Sequence, residues 1–153
     1  MLLSVGGSHP ANLKDVDWSY IAGFVDADGS IGIERRKRAN GEVGYSVKLY
    51  ITNADRETMD WLVTNLNGSV YLTNRNSPKH HQTMWRWVVR GKKAGPIIQK
   101  LLPYLHLKKK RAEIAMRFIE TITDGKRLDD KSKHLREYLA NQLSRMNLRG
   151  RPR

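Results

Sequence analysis

The chain contains no cysteine. Disulfide frameworks, thiolate zinc sites and cysteine nucleophiles are therefore excluded. Proline is scarce, at 5 of 153 residues, and no apolar run is long enough to cross a bilayer. The opening residues Met1-Leu2-Leu3-Ser4-Val5 lack a charged start and a full apolar stretch, so no secretory or targeting signal is expected. The most informative absence is of carboxylate. Residues 61–112 hold 11 Lys and Arg and no Asp or Glu, whereas residues 1–60 carry 7 basic against 9 acidic side chains. Residues 113–153 carry 10 against 6, and the formal net charge is +13. Ordinary soluble surfaces mix both signs, so a third of the chain without a carboxylate points to an anionic partner, nucleic acid or membrane. Hydrophobic residues at 39 % are enough for one packed domain of this length.

The order of elements follows from periodicity. A first helix is expected from about Asp17, as N-cap, to Ala27, with Gly29 as its stop. Ser30 to Arg38 alternates, with Ile31 and Ile33 on one face and Gly32, Glu34, Arg36 and Arg38 on the other. Asn40-Gly41 marks a hairpin, and the return strand from Val43 to Thr52 turns Val47, Leu49 and Ile51 inward and Ser46, Lys48 and Tyr50 outward. A helix capped by Asn53 or Asp55 runs to Leu66 and ends at Asn67-Gly68. A second hairpin follows, with Val70 and Leu72 opposite Tyr71, Thr73 and Arg75, then a polar tip from Asn76 to Gln82. In the strand Thr83–Arg90, Trp85, Trp87 and Val89 read as core and Arg86 as outward. Helices are expected from Lys92 to Leu102, stopped by Pro103, from Lys108 to Thr123, and through Leu135, Leu139, Leu143 and Met146.

This is an α+β layout with antiparallel hairpins and helices on one face. Residues 1–16 read as an N-terminal extension, 17–147 as a single domain and 148–153 as a basic tail. The free sheet face collects Glu34, Arg36, Arg38, Ser46, Lys48, Tyr50, Tyr71, Thr73, Arg75 and Arg86. Basic residues interleaved with hydrogen-bonding side chains on strands suit a DNA major groove better than a membrane, which would favour an amphipathic helix.

The sharpest chemistry lies in Ile21-Ala22-Gly23-Phe24-Val25-Asp26-Ala27-Asp28-Gly29. Gly23 and Ala27, four apart, form a small-residue stripe that lets another helix approach closely. Asp28 falls at the negative end of the helix dipole, where a carboxylate is disfavoured unless a cation sits beside it. Carboxylate and carbonyl oxygens together suit a hard divalent ion. Asp26 points elsewhere on the helix.

This nonapeptide resembles the LAGLIDADG motif of homing endonucleases, differing from it only by Ile21, Phe24 and Val25, all apolar. Ile51-Thr52-Asn53 is similar to the family's second position, and Leu102-Pro103-Tyr104-Leu105 before Lys108-Lys109-Lys110 to its third. The resemblance covers about residues 18–123. It implies an α-β-β-α-β-β-α fold with a saddle-shaped antiparallel sheet, here with an extra C-terminal helix. It implies cleavage of both DNA strands with Mg²⁺, for which Mn²⁺ can substitute. Asp28 and the carbonyl of Ala27 would hold the metal, Asn53 would orient water, and Lys108, or Lys110 if the register slips, would sit near the scissile phosphate, with Arg56 in support. A single motif implies a homodimer on double-stranded DNA, paired through Ala22, Gly23 and Ala27, and a near-palindromic target. An intracellular location with DNA follows. The alternative is a non-cleaving regulator of the same fold or an intron maturase with RNA as partner. His80, His81 and His106 lack metal-ligand spacing, which disfavours a zinc nuclease.

Overall fold

The computed structural model describes residues 12–73, 82–125 and 127–148. Its order is α1 (Asp15–Asp28), β1 (Gly29–Lys37), β2 (Val43–Asn53), α2 (Arg56–Leu66), β3 (Ser69–Leu72), β4 (Trp85–Arg90), α3 (Ala94–Leu101), α4 (Lys109–Glu120) and α5 (Asp130–Leu148). The four strands form one antiparallel sheet in the order β1-β2-β4-β3. The α+β reading therefore holds, with the helical region after β4 broken at Pro103 into α3 and α4 and followed by the extra helix α5. Arg75, most of the polar tip, residues 1–11 and the tail beyond Leu148 lie outside the described residues.

One layer of side chains fills the space between sheet and helices. Ile31, Val47, Leu49, Ile51, Trp87 and Val89 come from the strands and meet Ile21, Val25, Leu62, Ile98, Ala115 and Phe118 from the helices. Trp87 and Phe118 are fully buried, and truncating either to Ala would cost about 3–5 kcal/mol. The indole of Trp87 donates to the Asn67 carbonyl at 2.7 Å. That contact exists because α2 ends in two left-handed residues, Asn67 at φ 63° and Gly68 at φ 91°. A Cβ on Gly68 would come within 2.5 Å of the Val88 carbonyl.

Two local expectations change, and one open alternative, the cap of α2, is decided. First, α1 begins at Asp15 with Lys14 as its cap, three residues earlier than an Asp17 cap predicts. Asp17 serves instead at the third helical position, where its carboxylate accepts the Lys14 N–H at 2.9 Å. Second, α2 is capped by Asp55, whose carboxylate accepts from the Thr58 N–H at 3.3 Å and from the Thr58 hydroxyl, and these bonds pull its pKa below the usual value. Asn53 is thereby released from capping. Third, β4 buries residues on both faces. Trp87 and Val89 lie in the core, while Val88, opposite Tyr50 and Ser69 on the outer face, is 2 % exposed and Trp85 only half-buried.

The helix α5 packs on α4 and along β1. The Asn147 amide near its end donates to the Ile31 carbonyl at 3.1 Å.

Candidate active site and nucleic-acid face

The chain passes from α1 into β1 with no intervening loop, and this junction sets the position of Asp28. Gly29 allows the turn: its N–H bonds the Val25 carbonyl, and a Cβ there would sit 2.7 Å from the Val25 Cα and 3.1 Å from the Tyr50 carbonyl. Both neighbours are backbone and cannot move aside. Gly29 pairs with Ile51, which brings the end of β2 beside the end of α1. Asn53 then donates its amide N–H to Asp28 Oδ2 at 3.0 Å, while its own oxygen accepts the Asp55 N–H at 2.9 Å. The second bond fixes which way the amide faces. Asp28 itself is exposed, so solvent reaches it at the end of α1.

Asp26 does different work. Its Oδ2 accepts the N–H groups of His106 and Leu107 at 2.8 and 3.2 Å, and its Oδ1 accepts that of Lys108 at 3.0 Å. Three successive backbone donors thus converge on one carboxylate, a strong charge-assisted arrangement. The clamp delivers Lys108 to the end of α1. There its Nζ donates to the carbonyls of Val25 at 2.9 Å and Asp26 at 2.5 Å. A cation among the carbonyls of a helix C-terminus is electrostatically favourable. Burial pushes the Lys108 ammonium below the usual lysine value; Asp26 and Asp28 oppose that shift and Arg111 adds to it. Lys108 is thus held at the α1 terminus, whereas Lys110 is exposed. The sequence reading separated Asp26 from the metal-ligand role but missed the clamp. Arg56 stacks 4.2 Å over Trp85 and donates to Asp60 at 2.8 Å.

The small-residue stripe divides. Gly23 and Ala27 are exposed, and a Cβ at Gly23 would meet nothing within 4 Å. Val16 at 69 % and Tyr20 at 55 % exposure continue the same face. Ala22 leaves it: at 0 % exposure it packs into the protomer's own core, one position round the helix from Gly23, and cannot meet a second chain.

The outer sheet face carries the expected side chains among the described residues, held by one another. Arg86 lies 4.2 Å over the Tyr50 ring and donates to the Thr52 hydroxyl at 2.8 Å. Lys48 lies 5.1 Å over the same ring. Glu34 receives Lys48 at 2.6 Å, Arg36 at 3.1 Å and Arg90 at 3.2 Å. Ser46 lies on β2, Arg38 falls just past β1 and pairs with Glu42 at 4.0 Å, Tyr71 is exposed, and the Thr73 hydroxyl is tied to the Met84 carbonyl at 3.1 Å. Thr52 and Arg90 were not singled out from the sequence, although alternation from Tyr50 and from Arg86 reaches both. No helix among the described residues is long and apolar enough to cross a membrane.

A family model described as LAGLIDADG endonuclease matches residues 21–122. The chain is 28 % identical over 121 residues to the DNA endonuclease I-CvuI of Chlorella vulgaris, covering 76 % of this chain and 73 % of that protein. Its fold is similar to a crystal structure of I-CvuI with its target and Ca, with TM-score 0.75, 24 % identity, and coverage of 86 % of this chain and 82 % of the other. It is also similar to an archaeal intron-encoded homing endonuclease complexed with DNA, with TM-score 0.72, 20 % identity, and coverage of 86 % and 84 %. The match spans the α1–β1 junction, the Asn53 end of β2 and the clamped lysine alike, and the chain belongs to the LAGLIDADG endonuclease family.

Proposed function

We propose that this chain is a homing endonuclease that, as a homodimer, hydrolyses both strands of a long, near-palindromic DNA duplex. The observation that carries this reading is the α1 terminus. The exposed Asp28 is held by Asn53 through its carboxylate, and the Lys108 ammonium is fixed at the same helix end. The donors fit a hard divalent ion, since Asp28 offers oxygen only and Lys108 engages the carbonyls of Val25 and Asp26 rather than that of Ala27. Asp28 and the Ala27 carbonyl would hold Mg²⁺, with Mn²⁺ as a substitute. When bound, that ion supplies charge neutralisation at the phosphate and a water made more acidic.

The side chains do the rest. The Asn53 amide keeps the Asp28 carboxylate in one rotamer and leaves one oxygen for the ion. Lys108 would offset negative charge developing on the attacked phosphate. Asp26 is taken up by three backbone N–H groups, so a protomer would offer one acidic ligand, Asp28, and a second copy would bring the second. The exposed face of Val16, Tyr20, Gly23 and Ala27 suits pairing of two α1 helices about a twofold axis. The outer sheet face, with Arg36, Arg38, Lys48 and Arg86, lies along each half-site. Cutting genomic DNA is work done inside the cell.

The test is cleavage of supercoiled plasmid bearing the DNA that flanks this open reading frame, joined without the insertion. Wild type with Mg²⁺ is expected to linearise it. Asp28→Asn keeps the shape and a neutral acceptor for Asn53, and should reduce cleavage by orders of magnitude while leaving DNA binding intact. A full-rate Asp28→Asn enzyme would refute the mechanism. Binding without cleavage by the wild type would favour the regulator.

A further inference from the structure

The outer sheet face contains one feature that phosphate attraction alone does not explain. Glu34, on the border strand β1, is a carboxylate on a surface meant for an anion, and three cations converge on it. Burial raises its pKa, but hydrogen bonds and charge from Lys48 and Arg90 outweigh that and hold it below the usual value. The three partners are not equivalent. Lys48, with its side chain 16 % exposed, is sunk between Glu34 and the Tyr50 ring, whereas Arg36 is 62 % exposed near the end of β1. Arg90 is intermediate at 36 % and stands directly across from Lys48 in the β2–β4 register.

Arg90 meets Glu34 through Nε alone. The edge of its planar guanidinium that carries the two terminal nitrogens is a second pair of donors, and a fork of this shape fits guanine O6 and N7. A carboxylate bound at Nε fixes the plane of the fork before DNA arrives. Arg86, by contrast, has its plane set by stacking on Tyr50 and by Thr52.

We propose that Arg90 is a base-reading side chain that selects guanine at one symmetry-related pair of target positions, with Glu34 as the positioning residue that aims it. This rests on the reading of the outer face as the DNA-facing one. The site also has a place. Arg90 is opposite Lys48 and Trp85 opposite Asn53, so Arg90 stands five residues along β2 from the catalytic end. At about 3.3 Å per residue that is about 17 Å, or about five base pairs of duplex in each half-site.

The experiment is selection of bound sequences from a library randomised across the half-site, in Ca²⁺ to hold binding apart from cleavage. Thermal melts of each variant run alongside. Wild type should enrich guanine about five base pairs from the cut. Arg90→Lys keeps the charge but loses the fork, and should erase that preference by about 5- to 100-fold with other positions unchanged. Glu34→Gln should weaken the same preference while raising overall affinity, because a negative charge leaves the face. An Arg90→Lys profile identical to wild type, or one flattened uniformly, would overturn the assignment, as would a Glu34→Gln profile unchanged at that position. If Arg90→Lys melts early, Glu34→Gln alone decides. A wild type with no base preference anywhere overturns the DNA-facing reading itself, and is distinguishable from both.

Discussion

Replacing Asp26 by Asn tests whether the clamp positions Lys108. The carboxylate accepts three backbone N–H groups at 2.8, 3.2 and 3.0 Å. Asn has one oxygen to offer and turns an amide N–H toward at least one of those donors. Hydrogen bonds to a charged group contribute about 1.5–3 kcal/mol each, and the loop is partly exposed, so a loss of about 2 kcal/mol is expected. At about 2–4 °C per kcal/mol for a chain of this size, Tm should fall by about 4–8 °C. The larger effect is on rate. Freed at residues 106–108, the loop can shift by about 1 Å, and a misplacement of that size costs about 10²-fold. Single-turnover cleavage of a saturating DNA target, with Mg²⁺ titrated, is the assay. The rate should fall while the Mg²⁺ midpoint stays put, since Asp28 and Asn53 are untouched. A wild-type rate and Tm would refute the clamp, and a Mg²⁺ midpoint moved tenfold would mean that Asp26 acts on the metal instead.

Other outcomes follow from the same geometry. Lys108→Ala should lower the cleavage rate by orders of magnitude and Lys110→Ala by no more than a few-fold, because only Lys108 is held at the α1 terminus; equal losses in single-turnover assays would overturn this. Gly23→Leu meets no neighbour in its own protomer, so it should leave the monomer folded by circular dichroism and abolish the dimer in analytical ultracentrifugation; a monomeric wild type would refute the interface. Glu34 has a folded pKa below its ordinary 4.5. Its ion pairs therefore stabilise fully above that ordinary value and are lost as pH falls through the lower folded one. Chemical denaturation from about pH 7 to 3 should show a shallower acid loss for Glu34→Gln than for wild type.

Much of this architecture is local and so legible in the sequence. The β1 and β2 alternation identifies the buried Ile31, Val47, Leu49 and Ile51, and Asn40-Gly41 marks the hairpin between them. The motif helix ends where Gly29 requires. Longer-range features were not legible. Asp26 and the loop it holds are 80 to 82 residues apart, and no periodicity links a helical carboxylate to backbone donors in a distant turn. Ala22 and Gly23 look alike in composition, and only the rotation of α1 against the sheet makes one core and the other surface. Glu34 was read with the DNA-facing set, but its three cations come from β1, β2 and β4, and the register needed to bring Arg90 beside it is tertiary.

The contact between α5 and β1 bears on how the protein stays in solution. β1 is nine residues long and forms one border of the sheet; β3, at the other border, has only four. A long border strand exposes unpaired amides and carbonyls on which another chain's strand can add, the first step toward aggregation. Here α5 lies along that border, and the Asn147 amide takes up the Ile31 carbonyl. A helix outside the part of the chain that resembles the family in sequence thus acts as a cap on strand growth. It leaves the exposed α1 face of Val16, Tyr20, Gly23 and Ala27 free of that border, so the proposed pairing through α1 would not compete with edge-to-edge growth.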